Sequence, residues 1–413
     1  MKKYIKDEHY NLHILENKNF KNYRLNIAFL NEYRREELSI RECLLRMLFM
    51  GNDLYKTSKD INVKCEDLYD PIISTNQVRR GNIIFSSIYT LFLNPEYVKE
   101  ESYLEDNIKF IFDLIFKASF NQENLNFVKS SMIDEVESLD EDFRTYASFR
   151  AIEEMDSDDY GAVSENGTIE DIKKITLEDV KKEYEIFIND SEIEISILVK
   201  EYTDEIIDLI KKYALFTKNQ NKDLKPYRCI IKTNKEYEEE KDYSQSALVC
   251  IYRLEDLTER EQNITAFLFN EILGGGGLDT RLNSSLRGNN SICYFCNSSF
   301  DKFDNKITVT TLVSKENISK AKNLIVDVID SMKEIKNEEV EKNLKKIITA
   351  FDELNNSSYF LLLNQLLSDL GFSYTIDERI ELLKSVTTEE LETIVNKMNL
   401  NMVYVLKGVK ENG

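Results

Sequence analysis

Residues 175–199 read ITLEDVKKEYEIFINDSEIEISILV, and residues 386–408 read VTTEELETIVNKMNLNMVYVLKG. Each stretch predicts a helix that begins after a threonine, then a short polar turn and a closing apolar strand. In the second stretch Thr387 and Glu390 have the spacing of a capping box. The two stretches lie about half the chain apart, so the pattern indicates two copies of one domain.

Other elements repeat in the same order. Four runs predict strands, namely LHILEN (12–17), YRLNIAFL (23–30), YRCIIKT (227–233) and SALVCIYRL (246–254). A helix from about Ser39 to Met50 follows the first pair, and a helix that opens at Thr258 follows the second pair. Because the strands come in neighbouring runs and do not alternate strictly with helices, we expect the α+β class, with mainly antiparallel sheets packed with helices.

The predicted boundaries follow this duplication. We expect one domain over residues 1–214 and a second over residues 227–413. The polar, charged stretch 215–226, which ends in a proline, is the predicted linker.

Composition excludes several classes of function. The chain has 54 Lys and Arg against 75 Asp and Glu, a net charge of −21, which repels nucleic acids and anionic lipid surfaces. The excess acid serves solubility, or attracts cationic peptides. No apolar run has the length of a signal peptide or a membrane span, so we expect a cytoplasmic protein that binds neither nucleic acid nor membrane.

Cysteine and histidine usage gives little support for a metal or redox site. The six cysteines are predicted to be buried thiols. Cys293 and Cys296 lie three apart in a strand-like run, so we expect them on opposite faces. The two histidines, His9 and His13, both lie near the start and cannot form a His-rich metal site by themselves.

One stretch carries a specific resemblance. ECLLRMLFMGN, residues 42–52, resembles the metal-binding helix of the pitrilysin/insulinase peptidases, which reads roughly H-F-L-E-H-M-L-F-K-G-T. In that motif two histidines four apart hold zinc, and the glutamate between them is the general base. Here Glu42, Leu45 and Arg46 stand at those three positions. Leucine cannot accept a proton and arginine is a permanent cation, so we expect no catalytic site and no metal in this chain.

The third metal ligand of the family has a counterpart as well. Glu135, in the run Met132 to Val136, matches the glutamate that the family places on a later helix. We expect Glu135 to stand at the position of a ligand without binding a metal. One hypothesis is that Glu42, Arg46 and Glu135 form a salt-linked cluster in place of the metal. The alternative is that Glu42 only completes a capping box with Ser39.

A second element of resemblance lies in the C-terminal half. Residues 271–300 resemble the family segment in which a Gly-rich turn leads to an Arg and a Tyr that hold the substrate backbone. Arg287 and Tyr294 keep the family's spacing. The resemblance implies that Arg287 binds a substrate carbonyl and that Tyr294 donates its hydroxyl to the developing oxyanion. The alternative is a structural role for both residues.

The resemblance spans nearly the whole chain and implies a duplicated half-clamshell. The first hypothesis for function is a non-catalytic, zinc-free subunit of a heteromeric metallopeptidase. A partner with an intact H-x-x-E-H would supply zinc, and this chain would supply Arg287, Tyr294 and half of the peptide chamber. The alternative is a non-proteolytic scaffold or peptide-binding protein of the same fold. The sequence leaves a homodimer open.

Overall fold

The computed structural model describes residues 2–157, 159–220 and 222–409 of the chain. Its strands are β1 Lys2–Lys6, β2 Asn11–Glu16, β3 Asn22–Glu32, β4 Ile72–Arg80, β5 Ile83–Leu93, β6 Glu192–Val199, β7 Lys235–Lys241, β8 Ser246–Leu254, β9 Cys293–Asp301, β10 Lys306–Val313 and β11 Met398–Gly408. Its α-helices are α1 Arg35–Met47, α2 Ser58–Asp67, α3 Tyr103–Phe116, α4 Gln122–Ser138, α5 Phe143–Met155, α6 Ile169–Lys174, α7 Leu177–Asn189, α8 Asp204–Tyr213, α9 Ala266–Asn270, α10 Arg281–Asn283, α11 Ile318–Ser331, α12 Asn337–Leu354, α13 Ser358–Asp369, α14 Ile376–Lys384 and α15 Thr388–Lys397. Short 3-10 turns cover Pro95–Tyr97, Leu139–Glu141, Tyr160–Ala162 and Lys315–Asn317, and π turns cover Glu261–Thr265, Glu271–Gly275 and Ser284–Asn289.

The chain forms two compact units. The first consists of Met1–Val136, Glu165–Pro226 and Glu353–Ser373, and the second of Glu137–Ser164, Tyr227–Asp352 and Tyr374–Gly413. Each unit takes most of its residues from one half of the sequence and one segment from the other half. The exchanged segments carry α5 and α13.

Both units contain a sheet with the same order of five strands, to which the first unit adds β1 at one edge. The first sheet runs β1-β2-β6-β3-β5-β4, and the second runs β7-β11-β8-β10-β9. In each sheet the last strand in sequence pairs in parallel with the first strand of the repeat, β2 with β6 and β7 with β11, and the other pairs are antiparallel. The predicted α+β class with mainly antiparallel sheets is therefore confirmed, and the shared order reflects the repeat in the sequence.

Helix caps and burial explain the last helix and strand of each repeated stretch, α7 with β6 and α15 with β11. Thr176 with Asp179 opens α7, and Thr387 with Glu390 opens α15, each through a complete capping box. The strands that follow, β6 and β11, lie between two neighbours in their sheets. Every residue of β6 is buried, the isoleucines on one face and Glu192, Glu194 and Ser196 on the other.

One face of the first sheet packs against helices. The apolar core between them includes Leu25, Ile27, Ile195 and Ile197 of the sheet together with residues of α1, α3 and α7. Its other face is mostly polar, because Arg24, Asn26, Glu194 and Ser196 alternate with those core residues along β3 and β6. Helix α13 covers part of this second face, which we call the polar face, by packing on β2 and β6.

One prediction about local structure needs correction. The run 227–233 does not form a strand. The parallel edge strand is β7, Lys235–Lys241, with the charged sequence KEYEEEK. In the run itself, the Arg228 N–H donates to the Phe303 carbonyl, and the Thr233 N–H donates to the Asn401 side chain. An edge strand does not have to be apolar, because charge on an edge opposes pairing with other chains.

The predicted linker 215–226 contains no helix or strand in its described residues, which exclude residue 221. It is held to the first unit by side chains. Asn219 Oδ1 accepts a hydrogen bond from the Ile193 N–H at 3.0 Å, and Lys222 Nζ donates to Asn31 Oδ1 at 2.7 Å. No helix within the described residues is long and apolar enough to cross a membrane.

Candidate functional site

Helix α1 places the residues of the degenerate motif on two different faces. Leu44, Leu45 and Met47 are fully buried in the core of the first unit. Glu42 and Arg46, one turn apart, lie together on a less buried face. The position at which the family carries its general base is therefore an apolar core position here. Leu45 cannot accept a proton from a water molecule.

Arg46 is the centre of a hydrogen-bonded cluster. Its Nε donates to Glu42 Oε1 at 2.8 Å, and its Nη1 and Nη2 donate to the two oxygens of Glu135 at 2.6 and 2.8 Å. Nη2 also donates to Asn166 Oδ1 at 3.0 Å, and Asn166 Nδ2 donates back to Glu135 at 3.1 Å. Glu42, Arg46 and Glu135 thus form the salt-linked cluster that the sequence predicted, with Asn166 as a fourth member.

The capping alternative for Glu42 is wrong. Helix α1 begins at Arg35, so Ser39 lies inside the helix and is buried. The Ser39 hydroxyl lies below the loop that carries Asn166, and a Cβ at Gly167 would fall 1.8 Å from Ser39 Oγ. Gly167 also has a φ of +77°, so glycine lets this loop approach α1 closely enough for Asn166 to reach Arg46.

Electrostatics differ between the two carboxylates. Burial raises the pKa of Glu42 although Arg46 opposes the shift. The hydrogen bond from Arg46 lowers the pKa of Glu135, which is more exposed, against a smaller effect of burial. Hydrogen bonding to Glu135 also raises the pKa of Arg46. The guanidinium is therefore a fixed charge in this cluster.

The cluster does not fit the zinc ion that the family's motif implies. Zinc needs three protein ligands with free lone pairs, and the guanidinium already binds both oxygens of Glu135 and one oxygen of Glu42. Elsewhere in the part of the chain that the structure describes, no group of three His, Cys, Asp or Glu side chains has a metal-binding arrangement. No chemical step of this chain is therefore derived through zinc.

Removal of Arg46 tests the structural importance of the cluster. We expect Arg46→Ala to lower the free energy of unfolding by about 2 kcal/mol, because the half-buried Glu42 loses its charged donor. Urea unfolding at neutral pH measures the change. The control is Lys181→Ala, which removes an exposed cation from α7 and should change stability by less than about 0.5 kcal/mol. Equal stability of Arg46→Ala and the unmodified chain would contradict the prediction.

Arg287 and Tyr294 line the same hollow in the second unit. This open hollow of about 550 Å³ also takes side chains from the turn before β9 and from the end of β10. Tyr294 is 87% exposed, and Arg287 is exposed in the π turn 284–289. Neither side chain hydrogen-bonds to another group within the described residues. Both are therefore open to a ligand.

A β-bulge explains the orientation of Tyr294. Val313 of β10 pairs with Cys293, but the next residue, Leu312, pairs with Phe295, so Tyr294 is an extra residue in β9. Such bulges redirect a side chain next to a site. The bulge also corrects the prediction for the cysteine pair, because Cys293 and Cys296 pair with Val313 and Thr311, which are two apart in β10 and therefore lie on one face. Burial raises the pKa of both thiols, that of Cys296 to about 12, which keeps them protonated and unreactive.

Comparison with known proteins agrees with this geometry. A family model described as "Peptidase M16 inactive domain" matches residues 174–347. The chain is 22% identical to "Probable inactive metalloprotease YmfF" of Bacillus subtilis strain 168, over 98% of each chain. The resemblance to the pitrilysin/insulinase (M16) peptidases is confirmed.

Solved structures cover the whole chain, among them a peptidase M16 inactive domain from Pseudomonas fluorescens, which superposes with a TM-score of 0.78 at 15% identity over 100% of both chains. A conserved protein from Enterococcus faecalis V583 superposes with a TM-score of 0.91 at 20% identity, over 100% of both chains. A protease from Helicobacter pylori superposes with a TM-score of 0.81 at 13% identity, over 98% of this chain and 99% of that one. At these identities the superpositions establish the fold alone. The chain therefore combines an M16-like fold with a motif helix that lacks the residues for hydrolysis.

The sequence analysis missed one cluster on the polar face of the first sheet. His13 Nδ1 lies 2.6 Å from Asp369 Oδ2, and His13 Nε2 lies 2.5 Å from Glu194 Oε2. Burial of the ring lowers the pKa of His13, but the two carboxylates outweigh it and raise the pKa to about 9. The alternation of Glu192, Glu194 and Ser196 with isoleucines in β6 was the signal for a polar second face. No local pattern indicates that Asp369, far along the chain, contacts His13.

Proposed function

We propose that this chain is the non-catalytic subunit of a two-part M16-type peptidase, and that a second subunit with an intact H-x-x-E-H carries the zinc. One observation carries the proposal. The metal position is occupied by Arg46, whereas Arg287 and Tyr294 are exposed, unpaired in the described structure and face one hollow. A scaffold that binds no peptide has no need to keep this pair accessible.

The chemistry of the pair suits a peptide backbone. Arg287 would donate to a carbonyl oxygen of an extended peptide as a permanently charged donor. Tyr294 would donate its hydroxyl to the oxygen that gains negative charge when the partner's zinc-bound water attacks. The partner would supply the metal and the general base, so this chain needs no cofactor of its own. We also propose that the complex works in the cytoplasm, because the six cysteines are all free thiols, as in a reducing compartment.

Co-purification from the source cells tests the proposal. The chain is tagged and isolated from its source cells, and the proteins that co-purify are identified by mass spectrometry. We expect a protein of similar size with H-x-x-E-H in about equal amount. Absence of such a protein, or recovery of the chain in a large assembly without one, would favour the scaffold or peptide-binding alternative.

Variants of the reconstituted complex test the two residues. We expect Tyr294→Phe to lower kcat by about 100-fold with a small change in KM, because an oxyanion donor acts mainly in the transition state. We expect Arg287→Ala mainly to raise KM. Tyr97→Phe, at another exposed tyrosine, is the control and should leave both constants unchanged. If both site variants still cleave a test peptide at the full rate while the complex assembles, the pair has no role in catalysis.

A further inference from the structure

A narrow hollow lies on the polar face of the first sheet, next to α13. Its volume is about 40 Å³, and its polar lining consists of Arg24, Arg80, Asn26, Asn76 and Ser87 from strands β3, β4 and β5. The described residues that line it include two arginines and no acidic residue. In a chain with a net charge of −21, this is a local reversal of charge.

Arg24 is a buried cation with no carboxylate counterion among the described residues. It is 8% exposed, and its guanidinium carbon lies 4.2 Å from the centre of the Tyr89 ring and 5.3 Å from that of Tyr359. No carboxylate of the described residues forms an ion pair with it. Burial lowers its pKa, which reflects the cost of holding the charge there. Two aromatic faces offset that cost only in part.

Two other buried arginines of the described chain are paired with carboxylates. Arg41, which is fully buried, has its Nε 2.9 Å from Glu183 Oε1, and Arg253 forms an ion pair with Glu255. At both of these positions the fold pairs the buried guanidinium with a carboxylate. At Arg24 no carboxylate of the described residues fills that role, and the hollow beside the guanidinium, at about 40 Å³, can take the carboxylate group of a ligand from outside.

The rest of the lining narrows the chemistry of the ligand. Asn26, Asn76 and Ser87 are neutral groups that can complete the hydrogen bonds of one small anion. Leu362, Leu363 and Leu366 of α13 form an apolar wall beside them. A carboxylate with a short aliphatic group satisfies both sides, whereas a phosphate dianion would leave the leucines against a hydrated charge.

We propose that this hollow binds an aliphatic carboxylate, with Arg24 as its main cationic donor and the leucines of α13 against its aliphatic group. The site lies in the first unit, away from Arg287 and Tyr294 in the sequence, and is independent of the proposed peptidase function. The same chemistry occurs in two sources, the C-terminus of a peptide that ends in leucine and a free short-chain acid.

Calorimetric titration of the full chain distinguishes these sources. The probes are acetyl-Ala-Ala-Leu with a free C-terminus, the same peptide as its C-terminal amide, and 4-methylpentanoate. We expect the free-acid peptide to bind at least about tenfold more tightly than the amide, because the amide loses the charge-assisted hydrogen bonds. Binding of 4-methylpentanoate, with weaker binding of the peptide, would assign the site to a free acid.

Two variants and one control locate the binding. Arg24→Gln should weaken binding at least about tenfold without lowering the melting temperature, since it removes an unpaired buried charge. Ser87→Leu should fill the hollow and weaken binding with the charge intact. Arg144→Gln, at an arginine that lies over the Phe295 ring in the second unit, should change nothing. Equal binding of acid and amide, no binding of any probe, or unchanged binding in both hollow variants would overturn the proposal.

Discussion

Replacement of Glu183 by alanine is expected to lower the free energy of unfolding by about 3–5 kcal/mol. Glu183 on α7 accepts from Arg41 Nε on α1 at 2.9 Å, and the Arg41 side chain is 2% exposed. Glu37, 3.2 Å from Arg41 Nη2, is the second carboxylate at this guanidinium and is more exposed. Without Glu183, a buried cation keeps only this weaker partner, and the helix that carries the degenerate motif loses its bond to α7.

The same ion pair leads to a second expectation, in which a double variant regains stability. Burial raises the pKa of Glu183 although Arg41 opposes the shift, which indicates that desolvation of the carboxylate costs more than the pairing returns. The double variant Arg41→Met with Glu183→Leu should therefore recover most of the stability lost in Glu183→Ala. Chemical denaturation of the two variants measures both effects. The control is Glu185→Ala, an exposed position on α7, with an expected change below about 0.5 kcal/mol.

The result separates two explanations of the ion pair. If Glu183→Ala loses less than about 1 kcal/mol, the pair is not a significant anchor of α1. If the double variant is as unstable as the single variant, the pair itself, rather than the avoidance of an unpaired charge, holds α1 and α7 together.

Local signals in the sequence predicted the parts of the fold that depend on neighbours in the chain. The capping threonines Thr176 and Thr387 marked two helix starts, because a side-chain cap acts within one turn. The duplicated strand order followed from the repeat, since two similar sequences bury similar faces.

Features that depend on distant residues were not accessible in the same way. Nothing in the sequence of α13 indicates that it covers the sheet built by the other half of the chain, because any apolar helix face satisfies the periodicity. The bulge at Tyr294 depends on which residues of β10 are opposite, and a single strand does not encode its register. For the site, charge spacing predicted the pairing of Glu42 with Arg46, whereas Asn166 required the loop that Gly167 allows.

Replacement of His13 by glutamine is expected to have an effect that depends on pH. His13 has a pKa of about 9 in the folded chain, against an ordinary value of 6.5. A histidine whose pKa is raised by folding stabilises the fold fully below its unfolded pKa, and that contribution disappears as the pH rises through the folded pKa. His13→Gln should therefore cost roughly 3 kcal/mol at pH 6 and little at pH 9.5.

The groups around His13 determine how the pH dependence of its contribution to stability is interpreted. Glu194 and Asp369 hydrogen-bond to its ring nitrogens, and the Tyr4 ring stacks on it with 4.8 Å between ring centres. Burial and then the charge of Glu194 raise the pKa of Glu192, nearby on β6, to about 7. Ionisation of Glu192 therefore also removes stability as the pH rises, between about pH 4.5 and 7. It does so in both proteins, so the difference between wild type and variant reports mainly on His13.

Urea unfolding at several pH values between 6 and 9.5 measures this difference. His9→Gln is the matched control, since His9 is the other histidine of the chain and its side chain is 42% exposed, against 2% for His13, so its replacement should change stability by less than about 0.5 kcal/mol. A cost of His13→Gln that stays constant from pH 6 to 9.5 would mean that the ring contributes by packing against Tyr4, and not as a cation between two carboxylates. A cost that disappears with rising pH would identify His13 as the charge that lets the fold bury Glu194 beneath α13.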